Sequence, residues 1–147
     1  MEVAINERYG GFGLSPKALM LYCEKKYGEA HLYLRESWDR QVFKRVPNDY
    51  YEKNTNTPSD RLFVFKQDAG EEVDYEDCKE FIVFSHKVCS HDNRTDPILI
   101  SVIKELGSEA NGDYAEIHIV DVPDGVKWHI SEYDGMETVE EDHRSWY

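Results

Sequence analysis

Residues able to do chemistry crowd the two ends of this chain. Near the start, Arg8, Tyr9, Gly10, Gly11, Phe12 and Gly13 run into Ser15-Pro16. Glycine lets backbone approach a ligand closely, and a glycine-rich turn before a helix N-terminus can hold an anion. Arg8 adds positive charge, while Tyr9 and Phe12 offer rings for stacking. These six residues are the first candidates for a ligand site. The spacing has neither the Gly-Lys-Ser/Thr of a phosphate loop nor G-x-G-x-x-G, and Pro16 removes one helix-start N–H. A tight strand-to-helix turn that needs positive φ accounts for the same glycines without a ligand.

Further along, Arg94 precedes the helix signal Asp96-Pro97 and is a second candidate anion contact. Its plainer alternative is a surface ion pair with Asp92 or Asp96. His86, Cys89 and His91 form H-x-x-C-x-H, with Asp92 adjacent and Cys78 upstream. All are zinc-ligand types, but no second half-site accompanies them, so a polar loop is expected and no metal or cofactor is called for. At the C-terminal end, His129, Glu132 and His143 could serve general acid–base work. The same residues also suit a solvated acidic helix with His143 at its C-terminal end. Arg144 and Trp146 complete the set of candidate ligand residues, Trp146 also being a candidate oligomer contact.

Bulk properties narrow the partners. Thirty acids against seventeen bases give a net charge of −13 over 147 residues. That balance disfavours general nucleic-acid binding, which needs a basic face, and repels anionic membranes. Acids concentrate in Asp68–Glu80 and Glu132–Tyr147, whereas Arg35, Arg40, Lys44 and Arg45 cluster together. A basic spot on an acidic body suits a small phosphate ligand better than a duplex. Three irregularly spaced cysteines do not make a disulfide framework, no apolar run reaches the ~18 residues of a bilayer span, and the opening residues are too polar for a signal peptide. A cytoplasmic, reduced protein is expected, with no membrane partner.

The elements that must position these residues are legible in part. Met1–Asn6 reads as a strand; Pro16–Lys26 as a helix capped by Ser15 and ended by Gly28; Ala30–Leu34, Leu62–Phe65 and Phe81–Phe84 as strands. Asp96 caps the clearest helix, in which Ile98, Leu99, Val102, Ile103 and Leu106 repeat at i, i+3, i+4. Tyr114–Val122 and Val126–Glu132 alternate around Pro123-Asp124-Gly125 and predict a hairpin. Asp134 with Glu137 three residues later resembles a capping box and predicts a short last helix, with Met136, Val139 and His143 inward. The sum is one α+β domain over residues 1–147 with a long loop at about 37–60. Its mixed or antiparallel sheet has about five to six strands, with two main helices and a short C-terminal one.

Asn6-Glu7-Arg8-Tyr9-Gly10-Gly11-Phe12-Gly13-Leu14-Ser15 resembles the opening of a family of small uncharacterised proteins carried by bacteriophages and large DNA viruses. Asp96-Pro97, Glu105–Gly112, Glu132-Tyr133-Asp134-Gly135 and His143-Arg144-Ser145-Trp146 resemble the same family. The resemblance covers roughly the first 25 and last 50 residues and departs between Glu29 and His91. It implies a viral accessory protein. The expectation is a binding module for a phosphate-bearing, nucleotide-derived host signal or for a host protein. The alternatives are a small hydrolase or nucleotide-processing enzyme using the C-terminal His and Glu residues, and an assembly protein forming homo-oligomers.

Overall fold

The computed structural model describes residues 1–142. Fourteen helices and strands, joined by short 3-10 turns, build an α+β fold on antiparallel pairing. Strand β1 (Glu2–Asn6) leads through the glycine turn to α1 (Pro16–Tyr27). The start of α1 follows from its sequence: Ser15 Oγ accepts the Ala18 N–H at 3.1 Å and Pro16 fills the first helical position. Gly28, with φ 87°, ends it by donating its N–H to the Glu24 carbonyl.

A five-stranded antiparallel sheet forms the middle of the molecule. It is built from β2 (His31–Leu34), β3 (Val42–Arg45), β4 (Leu62–Phe65), β5 (Glu72–Asp74) and β6 (Ile82–Val83), in the order β5-β3-β2-β4-β6. Short helices α2 (Tyr50–Lys53), α3 (Tyr75–Cys78) and α4 (Ser85–Val88) decorate its connections. Strand alternation sends neighbouring side chains to opposite faces. Leu32 and Val64 therefore join a core under α1, whereas Tyr33 and Phe65 stack at 3.9 Å between ring centroids on the other face, beside Phe43. Strand β3 and α2 lie within the 37–60 stretch expected to be loop, where two prolines and a polar run hide them.

Helix α5 (Pro97–Leu106) packs its Leu99, Val102 and Ile103 against α1. Asp96 Oδ1 caps it by accepting the Ile98 N–H at 2.9 Å. Beyond it, β7 (Ile117–Asp121) pairs antiparallel with β1 from Glu2↔Asp121 to Asn6↔Ile117. Strand β8 (Trp128–Tyr133) pairs with β9 (Met136–Glu141) as a separate hairpin. Val3, Ile5 and Val122 pack with Trp128, Ile130 and Val139, which seals the β1–β7 ribbon onto that hairpin.

Two sequence expectations are corrected here. The expected hairpin between Tyr114–Val122 and Val126–Glu132 is not formed, because β1 takes the edge of β7 and buries Val3 and Ala4 completely. The expected helix after Asp134 is β9. Asp134 (φ 51°) and Gly135 (φ 87°) are both left-handed, the requirement of a two-residue hairpin turn of the primed kind, and Asp-Gly is a preferred pair for it. Turn chemistry and strand alternation prevail over the Asp-x-x-Glu spacing.

No helix of the described residues is long and apolar enough to cross a membrane.

Candidate functional site

The glycine turn is where the two chemistry-bearing ends meet. Gly10 and Gly11 have φ of 119° and 99°, which only glycine adopts without strain. The tip of the β8–β9 hairpin is pressed into them. The Gly10 N–H donates to the Asp134 carbonyl at 3.1 Å. A Cβ placed on Gly135 would collide with the Gly11 amide nitrogen and lie 2.6 Å from that of Gly10. Gly112 makes a similar approach on the far side: its N–H donates to the Gly13 carbonyl at 2.8 Å, and a Cβ there would lie 2.8 Å from Gly13 C.

Asn6 fastens this junction. It is fully buried, and its amide side chain donates to the carbonyls of Arg8 (2.6 Å) and Gly135 (2.8 Å) while accepting the Glu116 N–H (2.8 Å). Its own backbone N–H donates to Glu137 Oε1 at 2.9 Å. Its backbone N–H and both polar atoms of its side chain are thereby used inside the protein, as burial demands.

Arg94 is also used internally. It is 2% exposed and forms a two-pronged ion pair with Glu137, itself 3% exposed, at 2.6 and 2.9 Å. Two further hydrogen bonds run to the carbonyls of Cys89 (2.9 Å) and Ala4 (3.2 Å). The guanidinium lies 3.6 Å from the Phe12 ring centroid. The sequence reading of Arg94 as an anion contact therefore needs restating: the anion it holds is the carboxylate of β9. Phe12 likewise faces an internal cation.

Beneath the turn lies a groove of about 540 Å³. The backbone of Gly10 to Gly13 forms one wall, Leu14, Leu19, Val64 and Val83 give an apolar floor, and Ser59, Asp60, His86, Asp113 and Tyr114 form the rim. Among the described residues that line it there is no lysine or arginine. Arg8 and Tyr9 are exposed and are not among the lining residues, so the structure gathers only Gly10, Gly11, Phe12 and Gly13 of the N-terminal candidates. Arg144 and Trp146, with His143, lie outside the described residues.

The other clusters resolve differently from their spacing. His86, Cys89 and His91 do not converge with Cys78 on one point. Instead His91, Glu132 and Glu137, from three different elements, bring ligand-type atoms within 4.8 Å of one another. A divalent ion there would compete with Arg94 for Glu137, whose two oxygens already accept charged hydrogen bonds. His129 is exposed on β8, where Nδ1 bonds Asp142 and Nε2 lies 3.4 Å from Glu140. The Asp142 hydrogen bond raises its pKa above the ordinary 6.5. Burial pushes the Cys23 thiol up to about 12 and Cys78 up to about 11, and also raises Cys89, so none is poised as a nucleophile.

Sequence reasoning missed Asn6, Gly112, Gly135 and Glu137 as site-building residues. The one available signal was Asp134-Gly135, a hairpin dipeptide flanked by alternating residues on both sides. Comparison with protein-family models, curated proteins and solved structures found no match to this chain.

Proposed function

We propose that this protein is a viral accessory binding module that holds a small nucleotide-derived signal, or the projecting side chain of a host protein, in the groove beneath the glycine turn. The observation that carries this is the groove itself. An apolar floor ringed by a few polar groups, walled by backbone that glycine brings close, is the usual build of a ligand pocket. Its volume of about 540 Å³ lies within the range of small-molecule sites. The turn is fixed from behind by Asn6 and the Arg94–Glu137 pair, so the wall is pre-formed and binding costs little ordering.

The rim chemistry favours the base end of such a ligand over its phosphates. Asp60 and Asp113 are acceptors suited to exocyclic amino groups, His86 can donate or accept, and the floor receives a flat ring. The viral setting rests on the resemblance of the two chain ends.

Titration of 15N-labelled protein with adenosine, guanosine, cytidine and ADP-ribose tests the reading. Shifts confined to Gly11, Gly13, His86 and Asp113 with one of these compounds are expected, and Asp113→Asn should weaken the response. A folded protein whose groove resonances stay still with all four compounds would overturn the small-ligand reading. Capture of a host protein that Asp113→Asn abolishes would then favour the side-chain version.

A further inference from the structure

We infer a second site, on the opposite side of the Val83–Phe84 wall from the groove, that takes a phosphate-bearing aromatic compound of mononucleotide size. It is a cleft of about 390 Å³ at the junction of α1, the end of β4 and α4. This inference does not rest on the groove reading.

Charge carries the argument. Acids outnumber bases in this chain by thirty to seventeen, so a lysine has a carboxylate neighbour by default. Six of the ten lysines are in ion pairs: Lys17, Lys25, Lys44, Lys53, Lys79 and Lys104. Lys26, Lys66, Lys87 and Lys127 have no such partner among the described residues. Three of those four, Lys26, Lys66 and Lys87, line this one cleft, and Lys79 joins them there. Among the described residues, the only carboxylate lining it is Glu80. Lys79 keeps its pair with Glu76 and Lys26 lies near Asp96, so Lys66 and Lys87 carry the cleft's unpaired positive charge, which draws anions.

Rings accompany the charges. Lys26 lies 5.6 Å from the ring centroids of both Tyr22 and Tyr27, Lys66 lies 4.9 Å from that of Tyr27, and Lys87 lies 5.6 Å from that of Phe84. Tyr27 is 42% exposed, so its ring reaches the cleft's solvent side beside those two ammonium groups. Aromatic faces beside ammonium groups match a base or other ring joined to phosphate. The volume suits one nucleotide and not a duplex, and the chain's net charge of −13 disfavours a polyanion.

Helix α1 ends at Tyr27, and a cation in a last helical turn needs no ligand to explain it. Lys87 lies in the single turn of α4 and Lys79 in a three-residue 3-10 turn, where that effect is small, and Lys66 is in no helix. Lys66 follows β4, Lys79 begins a 3-10 turn and Lys87 lies in α4, so the convergence belongs to the tertiary fold.

The test is calorimetric titration of the full chain with ADP, pyrophosphate and adenosine at two salt concentrations. ADP is expected to bind most tightly and adenosine at least tenfold more weakly, with ADP affinity falling as salt rises. Pyrophosphate binding alone would report the lysines, and its gap to ADP the ring contribution. Lys66→Gln with Lys87→Gln, at exposed or half-exposed positions where folding is checked by circular dichroism, should lower ADP affinity at least tenfold. In the Asp113→Asn protein, a groove variant, the same lysine double substitution should still cost ADP at least tenfold in affinity. Equal binding of ADP and adenosine, an unaffected double variant, or no binding of ADP or pyrophosphate at millimolar concentration would each overturn the site. Loss of the groove response with ADP binding intact would remove the groove reading alone.

Discussion

Gly135 in the tip of the last hairpin seats directly on the backbone of Gly11 in the first turn, with no room for a Cβ between them. Nearly the whole chain separates these two glycines, and each is needed by the other. Gly11 takes a left-handed φ to make the turn, and Gly135 removes the side chain that would hold the hairpin off it.

Gly135→Ala is therefore expected to destabilise more than a left-handed backbone alone would cost, which is roughly 1–2 kcal/mol. Gly125 is the control, since its φ of 82° matches but nothing lies within 4 Å of a Cβ there. Urea unfolding of Gly125→Ala should show only the backbone cost, with a clearly larger drop for Gly135→Ala. Equal losses would mean that the hairpin tip shifts freely.

Removing one half of the Arg94–Glu137 pair leaves a buried charge without its partner. Arg94→Met and Glu137→Gln are each expected to cost about 3–5 kcal/mol, measured by chemical denaturation. The double replacement Arg94→Met with Glu137→Leu should recover part of that loss but not all, because the Asn6 N–H then loses its acceptor. Single variants as stable as the parent would show that the pair contributes nothing.

His129 reports on the hairpin through pH. Its folded-state pKa is raised above 6.5, chiefly by the hydrogen bond to Asp142. The charged form is thus favoured by folding. Its contribution is fully present below the unfolded value near 6.5 and is lost as pH rises through the higher folded value. A proton NMR titration should place His129 above 6.5, and Asp142→Asn should bring it back down. A titration near 6.5 in the parent protein would contradict the contact.

The parts of the fold that were legible were those where local and tertiary preferences agree. Ser15-Pro16 and Asp96-Pro97 announced both long helices, the apolar run Val3-Ala4-Ile5 announced β1, and alternation announced β2, β7 and β8. Pairing was less legible, because which strand lies beside β7 depends on burial of Val3 and Ala4 far away in sequence. Asp134-Gly135-Met136-Glu137 supports either a helix cap or a hairpin turn, and contact with the glycine turn decides between them. At the site level, the N-terminal glycines were visible, but their service to Gly135 was not. The four lysines of the cleft sit at positions 26, 66, 79 and 87 on different elements, so no local pattern could unite them.

The pairing of β1 with β7, and of Asn6 with Gly135 and Glu137, also sets an order of events during synthesis. The first strand leaves the ribosome with nothing to pair with. Its buried face stays uncovered until the last hairpin has been made. Contacts of such long sequence separation close slowly. A nascent chain stalled before Asp134 should thus expose Val3 and Ile5 to chaperones, and the glycine turn would become ordered only once the β8–β9 hairpin has emerged.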